Sequence, residues 1–325
     1  MIVLTAFFKS RDWALWAYGG AFIIGLITYA KVQYIVTMNQ WYNTYYTILD
    51  EPKKYGIDAF WATMFDFMKI LLPYVALSML VHYIARMYVL RWREAVTKAY
   101  VMQWLTVQVE IEGASQRIQE DIFRFARIVE GLGVDVLKSL LTLIAFTPIL
   151  WGLSKGIDIP VFGQFEGSLF FCAIGITIIA MLISWFVGAK LPHLEYNNQK
   201  VEAKLRKHLV YGEDDKQNFS NVKDIMELFT GIRINYQRLY LHYGYFDLWI
   251  VMFSHTLGFT SDILLAPSLF AGTITLGIYM QVGNAFGRVY GSLTLFVNNW
   301  TTITELRSIH LRLKEFEINL KKYEV

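Results

Sequence analysis

Apolar residues along this chain gather into six long stretches, at 13–36, 60–89, 132–153, 168–189, 246–266 and 269–297. A helix needs about 20 mostly apolar residues to cross the hydrocarbon core of a bilayer, so each stretch predicts a membrane span. The stretch 168–189 carries no charge, 13–36 is interrupted only by Lys31, and Pro267 separates the last two. The polar segments between them follow a different pattern. At 90–131 and 190–245 they are too long for ordinary loops, and Gly113 is the one glycine between Glu94 and Glu130, with no proline. After Pro192, residues Leu194, Val201, Leu205 and Leu209 recur at heptad-like spacing, which predicts helix from the first turn onward. The helices are therefore expected to run on beyond the membrane and to turn near Gly113 and near Gly212-Glu213-Asp214-Asp215.

Composition supports this all-α membrane reading. Of 325 residues, 55% are hydrophobic and only 18% charged, against about a quarter charged in soluble domains. The single Cys172 excludes a disulfide scaffold or a cysteine-built metal site. Charge adds direction. Of the 30 Lys and Arg, 23 fall in residues 1–12, 86–127, 190–240 and the tail after 306, while Lys53, Lys54 and Lys155 are all that the opposite connections hold. Basic residues concentrate on the cytoplasmic side, so both termini and both long connections are expected there. Membrane topology thus accounts for the net charge of +3 without a nucleic-acid partner. Residues 1–10 lack the basic start and cleavage site of a signal peptide, and the first span is expected to be retained.

No phosphate-binding glycine loop, H-E-x-x-H zinc motif or i, i+4 histidine pair occurs in the sequence, so an enzyme is not expected, nor a metal or organic cofactor. The candidate chemistry lies in the acids, because carboxylates in or beside membrane spans are costly and mark function by default. At about 100° per residue, Glu195, Glu202 and Glu213 return to within about 20° of one helix face and span about 27 Å. Glu112 and Glu130 share a face in the same way, with Glu120 set off by about 80°. Such acids raise one another's affinity for protons. Protonation from one side and release to the other is how proton relays drive conformational exchange. The spacing equally suits solvated faces, since Glu120–Arg124 and Glu202–Arg206 stand at the i, i+4 positions of surface ion pairs. Tyr236, Tyr240 and Tyr243 form an aromatic stripe that suits either a substrate contact or an interface belt. Gly283, Gly287 and Gly291 form a small-residue stripe suited to close helix approach, and His255 and Asp262 form a polar pair in the fifth span.

Several runs carry a resemblance to a known family. They are Arg91-Trp92-Arg93, the run from Ile111 to Asp121 (IEGASQRIQED), Arg124-Phe125-Ala126, Asn198-Gln199-Lys200-Val201-Glu202-Ala203, and Leu209-Val210-Tyr211-Gly212-Glu213-Asp214-Asp215. Arg238-Leu239-Tyr240-Leu241-His242-Tyr243, Ala271-Gly272-Thr273-Ile274-Thr275-Leu276-Gly277 and Trp300-Thr301-Thr302 continue it. From about Arg91 to Leu313 the chain resembles the SbmA/BacA peptide transporters. The resemblance implies a single transmembrane domain over 1–325, with six long helices in the arrangement of an ABC exporter but no nucleotide-binding domain. It also implies a homodimer in the bacterial inner membrane, importing peptides and peptide-like antibiotics with protons as the coupling ion. The family's cavity acids fall on Glu112, Glu120, Glu130, Glu195, Glu202 and Glu213. Asn198, Tyr211, Tyr240 and Tyr243 become candidate substrate contacts. Lys31, His255, Asp262 and Arg288 depart from the family pattern. The competing expectation is the membrane subunit of an ATP-driven exporter or vitamin transporter whose ATPase is a separate chain.

Overall fold

The structure is a computed structural model that describes residues 2–323 except Glu110, Glu112, Val161, Phe162 and 217–220, with backbone alone at Asp214, Leu257, Gly258 and Val297. The described residues are almost wholly helical, and an isolated bridge pairs Ile159 with Gly163. In chain order the helices are α1 (Ile2–Phe8), α2 (Ala21–Asp50), α3 (Pro52–Trp104), α4 (Ala114–Gln116), α5 (Ile122–Leu153), α6 (Ser168–Gly188), α7 (Leu191–Asp214), α8 (Val222–Phe270), α9 (Leu276–Leu293), α10 (Leu295–Asn298) and α11 (Trp300–Lys322). π-helical segments, Leu15–Gly20 and Arg117–Asp121, lead into α2 and α5.

Five helical segments are long and apolar enough to cross a membrane: Leu15–Asp50, Pro52–Trp104, Ala114–Leu153, Ser168–Glu213 and Val222–Phe270. Helix α3 is broken near its start at Gly56, whose φ of 74° is not helical, and the stretch after it is about 70 Å long, far more than the roughly 30 Å of hydrocarbon. Its apolar part is 60–89, and residues 90–104 extend past it as the sequence pattern requires. The chain then turns through Gly113, whose φ of 73° lies in the left-handed region that glycine enters without a steric cost.

The sixth apolar stretch, 269–297, differs from expectation. Helix α8 continues through Pro267 to Phe270, residues 271–275 leave the helix, and α9 holds only 18 residues, Gln281, Asn284 and Arg288 among them. The break falls after the proline because Gly272 supplies the left-handed residue, at φ 71°. The N–H groups of Thr273 and Gly272 then donate back to the carbonyls of Ser268 and Leu269, both at 3.0 Å, closing the helix end. Pro267 itself removes only one bond within the last turn. The Thr275 hydroxyl accepts from the Ile278 N–H at 3.2 Å and starts α9.

Two compact units emerge, residues 1–174 with 261–325, and residues 175–260. In the first, the buried core runs from the apolar stretches of α2 and α3 out beyond them. Ile309, Leu313, Phe316 and Leu320 repeat at helical spacing along α11 and are buried. Phe7 of α1 stacks on Trp92 of α3 with centroids 5.7 Å apart, and the Trp92 indole donates to the Val3 carbonyl at 2.8 Å. Nearer the opposite ends of the helices, α2 and α9 meet along a polar seam. Asn39 Nδ2 donates to the Gln281 carbonyl and Asn43 Nδ2 to Gln281 Oε1, each at 3.0 Å. A Cβ at Gly277 would collide with Asn43 and Thr47, so the absent side chain permits the approach. In the second unit, Phe246 packs on Gly188, and the Trp249 indole donates to Ser184 Oγ at 2.9 Å.

Candidate functional site

In the first unit the acids fall into two groups distinguished by their partners. Glu130 lies on α5, two residues before its apolar stretch, and is half-buried. Its carboxylate interacts with Asp135 on the same helix and, in the opposite sense, with His82 on α3. Tyr88 of α3 also feels its charge. No Lys or Arg of the described residues comes within 4.0 Å of Glu130. A carboxylate pair and an imidazole at the end of an apolar helix can exchange protons, because each changes the cost of charging the others.

Three other acids of this unit, Glu120, Asp121 and Glu317, have committed partners. Glu120 bonds Arg124 at 2.7 Å, and Arg124 also reaches Glu305 at 3.4 Å, so Glu120 occupies the solvated i, i+4 arrangement. Asp121 is 1% exposed. It accepts from Arg312 Nε and Nη2 of α11 at 3.0 and 2.8 Å, and from Arg117 Nη1 at 2.9 Å. The Asp121 carboxylate accordingly holds the Arg312 guanidinium above its usual value. Glu317 of α11 accepts the Tyr100 hydroxyl and the Ile2 N–H, both at 2.7 Å, and the Val3 N–H at 3.4 Å. Burial and the neighbouring Glu317 charge push the Tyr100 phenol well above its ordinary value.

In the second unit, Glu195, Glu202 and Glu213 lie on the uninterrupted helix α7, so the spacing argument for a shared face applies along its length. Their exposure is graded. Glu195 is half-buried, while Glu202 and Glu213 are exposed. Tyr243 of α8 packs beside Glu195 and Asp247 and is half-buried. One turn from Glu195, Asn198 is 4% exposed and its Oδ1 has no hydrogen-bond partner among the described residues. Glu202 does not form the ion pair that its spacing to Arg206 offered, since no partner of the described residues comes within 4.0 Å. Tyr211 and Tyr240 are exposed. Lys207 lies over the Tyr211 ring at 5.6 Å, and Tyr236 sits 5.2 Å from Tyr240.

The structure thus brings together Glu195, Asn198 and Tyr243 in one unit, and in the other places Glu130 beside Asp135. Glu120 sits in a surface pair, and Glu112 lies outside the described residues. Asp262 lies near Tyr279 of α9, whose phenol feels its charge, and His255 is exposed. Of the glycine stripe, only Gly283 meets another segment, with Ser261 Oγ at 3.6 Å from the position a Cβ would take. Sequence reasoning missed His82 as a neighbour of Glu130, and Asp121 and Glu317 as the most deeply buried acids. A histidine inside the apolar stretch 60–89 was itself a usable signal. For Asp121 the i−4 spacing of Arg117 was legible, but Arg312 and the partners of Glu317 gave none, lying 191 to 315 residues away.

The chain is 27% identical over 319 residues to the "Inner membrane ABC transporter ATP-binding protein YddA" of Escherichia coli (strain K12), covering 91% of this chain and 55% of that protein. It is 23% identical over 277 residues to the "Uncharacterized ABC transporter ATP-binding protein sll0182" of Synechocystis, covering 80% and 40% respectively. The "ABC transporter D family member 2, chloroplastic" of Arabidopsis thaliana is 22% identical over 243 residues, covering 70% and 33%. The chain spans about half the length, or less, of these curated relatives. The family model described as SbmA/BacA-like matches residues 10–321. With helices long enough to span a bilayer and that match over nearly its whole length, this multi-pass membrane protein belongs to the SbmA/BacA-like family.

Proposed function

We propose that the protein is a transporter that imports peptides and peptide-like antibiotics across the bacterial inner membrane, driven by the proton gradient, and that it works as a homodimer with both termini cytoplasmic. The observation that carries this reading is Glu130, half-buried at the end of an apolar helix beside Asp135 and His82 and without a Lys or Arg partner. An acid so placed gains most from binding a proton when its surroundings dry out and loses it when water returns, which ties protonation to conformation. Glu195, with Asn198 and Tyr243 around it, forms the second acidic station. Glu202 and Glu213 extend the column toward solvent, where Tyr211 and Tyr240 are available to substrate. The family's proton-driven import of peptides, expected from the resemblance, supports the same reading.

The test is uptake of a labelled peptide by proteoliposomes of the purified chain under an imposed pH gradient without ATP. Gradient-dependent accumulation is the expected result, with Glu130→Gln reducing it at least about tenfold. Uptake that ignores the gradient overturns the reading. A second reading has its own support: the relatives bear ABC transporter ATP-binding names, and this chain matches about half of their length. In that case the protein is the membrane portion of an ATP-driven system. Uptake would then require ATP together with a partner ATPase.

A further inference from the structure

Two lysines inside the apolar stretches lack a counter-charge. Lys31 of α2 is half-buried, with the Tyr74 ring of α3 5.6 Å from its ammonium. Lys138 of α5 is the other charge acting on it. No carboxylate of the described residues comes within 4.0 Å of either ammonium. Asp135, three residues before Lys138, forms no ion pair with it.

Lys31 lies on the buried stripe of α2, and Lys138 at the exposed end of a buried row of α5. Ile27 and Ile35, four residues to each side of Lys31, are buried, whereas Phe22 and Tyr29 on the far face are 72% and 49% exposed. Lys138 continues the buried row Thr142, Phe146 and Leu150, while Ile144 on another face is 71% exposed. Helices α2 and α5 pack directly, with Leu137 Cδ2 3.7 Å from the Cβ position of Gly25. Lys31 therefore lies on the packed side of α2, and Lys138 stands at the open edge of the neighbouring helix α5.

A cation held away from lipid and from water is costly unless an anion meets it or it lines a wet cavity. Lys138 itself is exposed, so this flank of α5 is open at that level. An ammonium is a compact point charge that attracts a carboxylate without demanding one geometry, which suits substrates of varied sequence. The feature common to all unmodified peptides is the terminal carboxylate. We infer that Lys31 and Lys138 form an intramembrane receptor for the C-terminal carboxylate of the transported peptide. This rests on the peptide-import reading and adds to it a requirement on the substrate. Glu130 and Asp135 lie further along α5 as the acceptor for a cationic portion of the same peptide.

The experiment compares one fluorophore-labelled peptide with its C-terminal amide, measured as equilibrium binding to the detergent-solubilised full chain and as gradient-driven uptake in liposomes. The free acid should bind about tenfold more tightly than the amide, the size of one charge-assisted contact. Lys31→Gln and Lys138→Gln should each weaken the acid severalfold and leave the amide unchanged, and Lys31→Arg should keep the preference. Equal binding of acid and amide by the wild-type chain overturns the inference, as does an undiminished preference in both glutamine variants. Loss of the preference in liposomes made with anionic phosphatidylglycerol overturns it too, because the lysines would then serve lipid headgroups. If acid is preferred in binding but uptake ignores the gradient, the coupling reading fails and the receptor stands. If uptake follows the gradient with acid and amide alike, the receptor fails and the coupling reading stands.

Discussion

Asp121 and Glu317 are the most deeply buried acids described in the first unit, at 1% and 7% exposure, while Glu130 on the same side is only half-buried. Burial depth would rank the first two as the better proton carriers. Their partners argue the reverse. Asp121 is met by two guanidinium groups, and Glu317 by a phenol and two backbone N–H groups. Each is satisfied in its charged form, and removing either side of such a pair leaves an uncompensated group. Glu130 instead faces another carboxylate and a histidine, so no described ammonium or guanidinium commits it to its charged form. The first arrangement clamps α11 to α1, α3 and the start of α5, and the second holds no such clamp. On the proposed reading, the absence of a committed partner marks the working acid.

The largest break in that contrast should come from Asp121→Ala. It leaves Arg117 and Arg312 facing each other without an anion, and the expected loss is about 3 kcal/mol, read as a fall in the unfolding midpoint in detergent. Glu317→Ala removes the acceptor for Tyr100 and for the first N–H groups of α1, at a cost of about 2 kcal/mol. Hydrogen exchange should then show residues 2–8 losing protection while α5 keeps its own. Glu130→Gln should invert this pattern: unfolding shifts by less than about 1 kcal/mol, while gradient-driven uptake falls at least tenfold. A stability loss matching that of Asp121→Ala would place Glu130 among the structural acids.

Smaller effects sharpen the comparison. Folding raises the Tyr100 phenol above its ordinary value of about 10, so the fold prefers its protonated form. The stabilisation is complete below that pH and is lost as pH climbs toward the folded value. An alkaline decline in stability that disappears in Tyr100→Phe is the expected signature. Glu120→Gln should change stability by no more than about 0.5 kcal/mol, because an exposed i, i+4 pair contributes little. It should leave uptake near wild type, in contrast to Glu130→Gln.

Much of the fold was legible along the chain. The apolar stretches at 13–36, 60–89, 132–153, 168–189 and 246–266 each lie within a helix that can cross a membrane, and the turn at Gly113 falls where glycine was expected to permit it. The end of α8 was misplaced because Pro267 is a conspicuous breaker, whereas Gly272 supplies the backbone conformation that closes the helix. The sixth stretch was counted on apolar content alone. Its polar residues Asn284 and Gln281 belong to α9, whose Gln281 is satisfied by α2 across the chain.

The sequence by itself determined the helical segments, their excess length and the shared face of Glu195, Glu202 and Glu213, because period and apolar content are properties of neighbouring residues. Only the tertiary structure decided which acids are committed. Arg312 reaches Asp121 across 191 positions and Ile2 reaches Glu317 across 315, and His82 approaches Glu130 from another helix. The charge state an acid prefers depends on groups within a few ångströms in space, and no local pattern records them. The same physics leaves Lys31 and Lys138 conspicuous, since the fold supplies no described carboxylate to meet either of them.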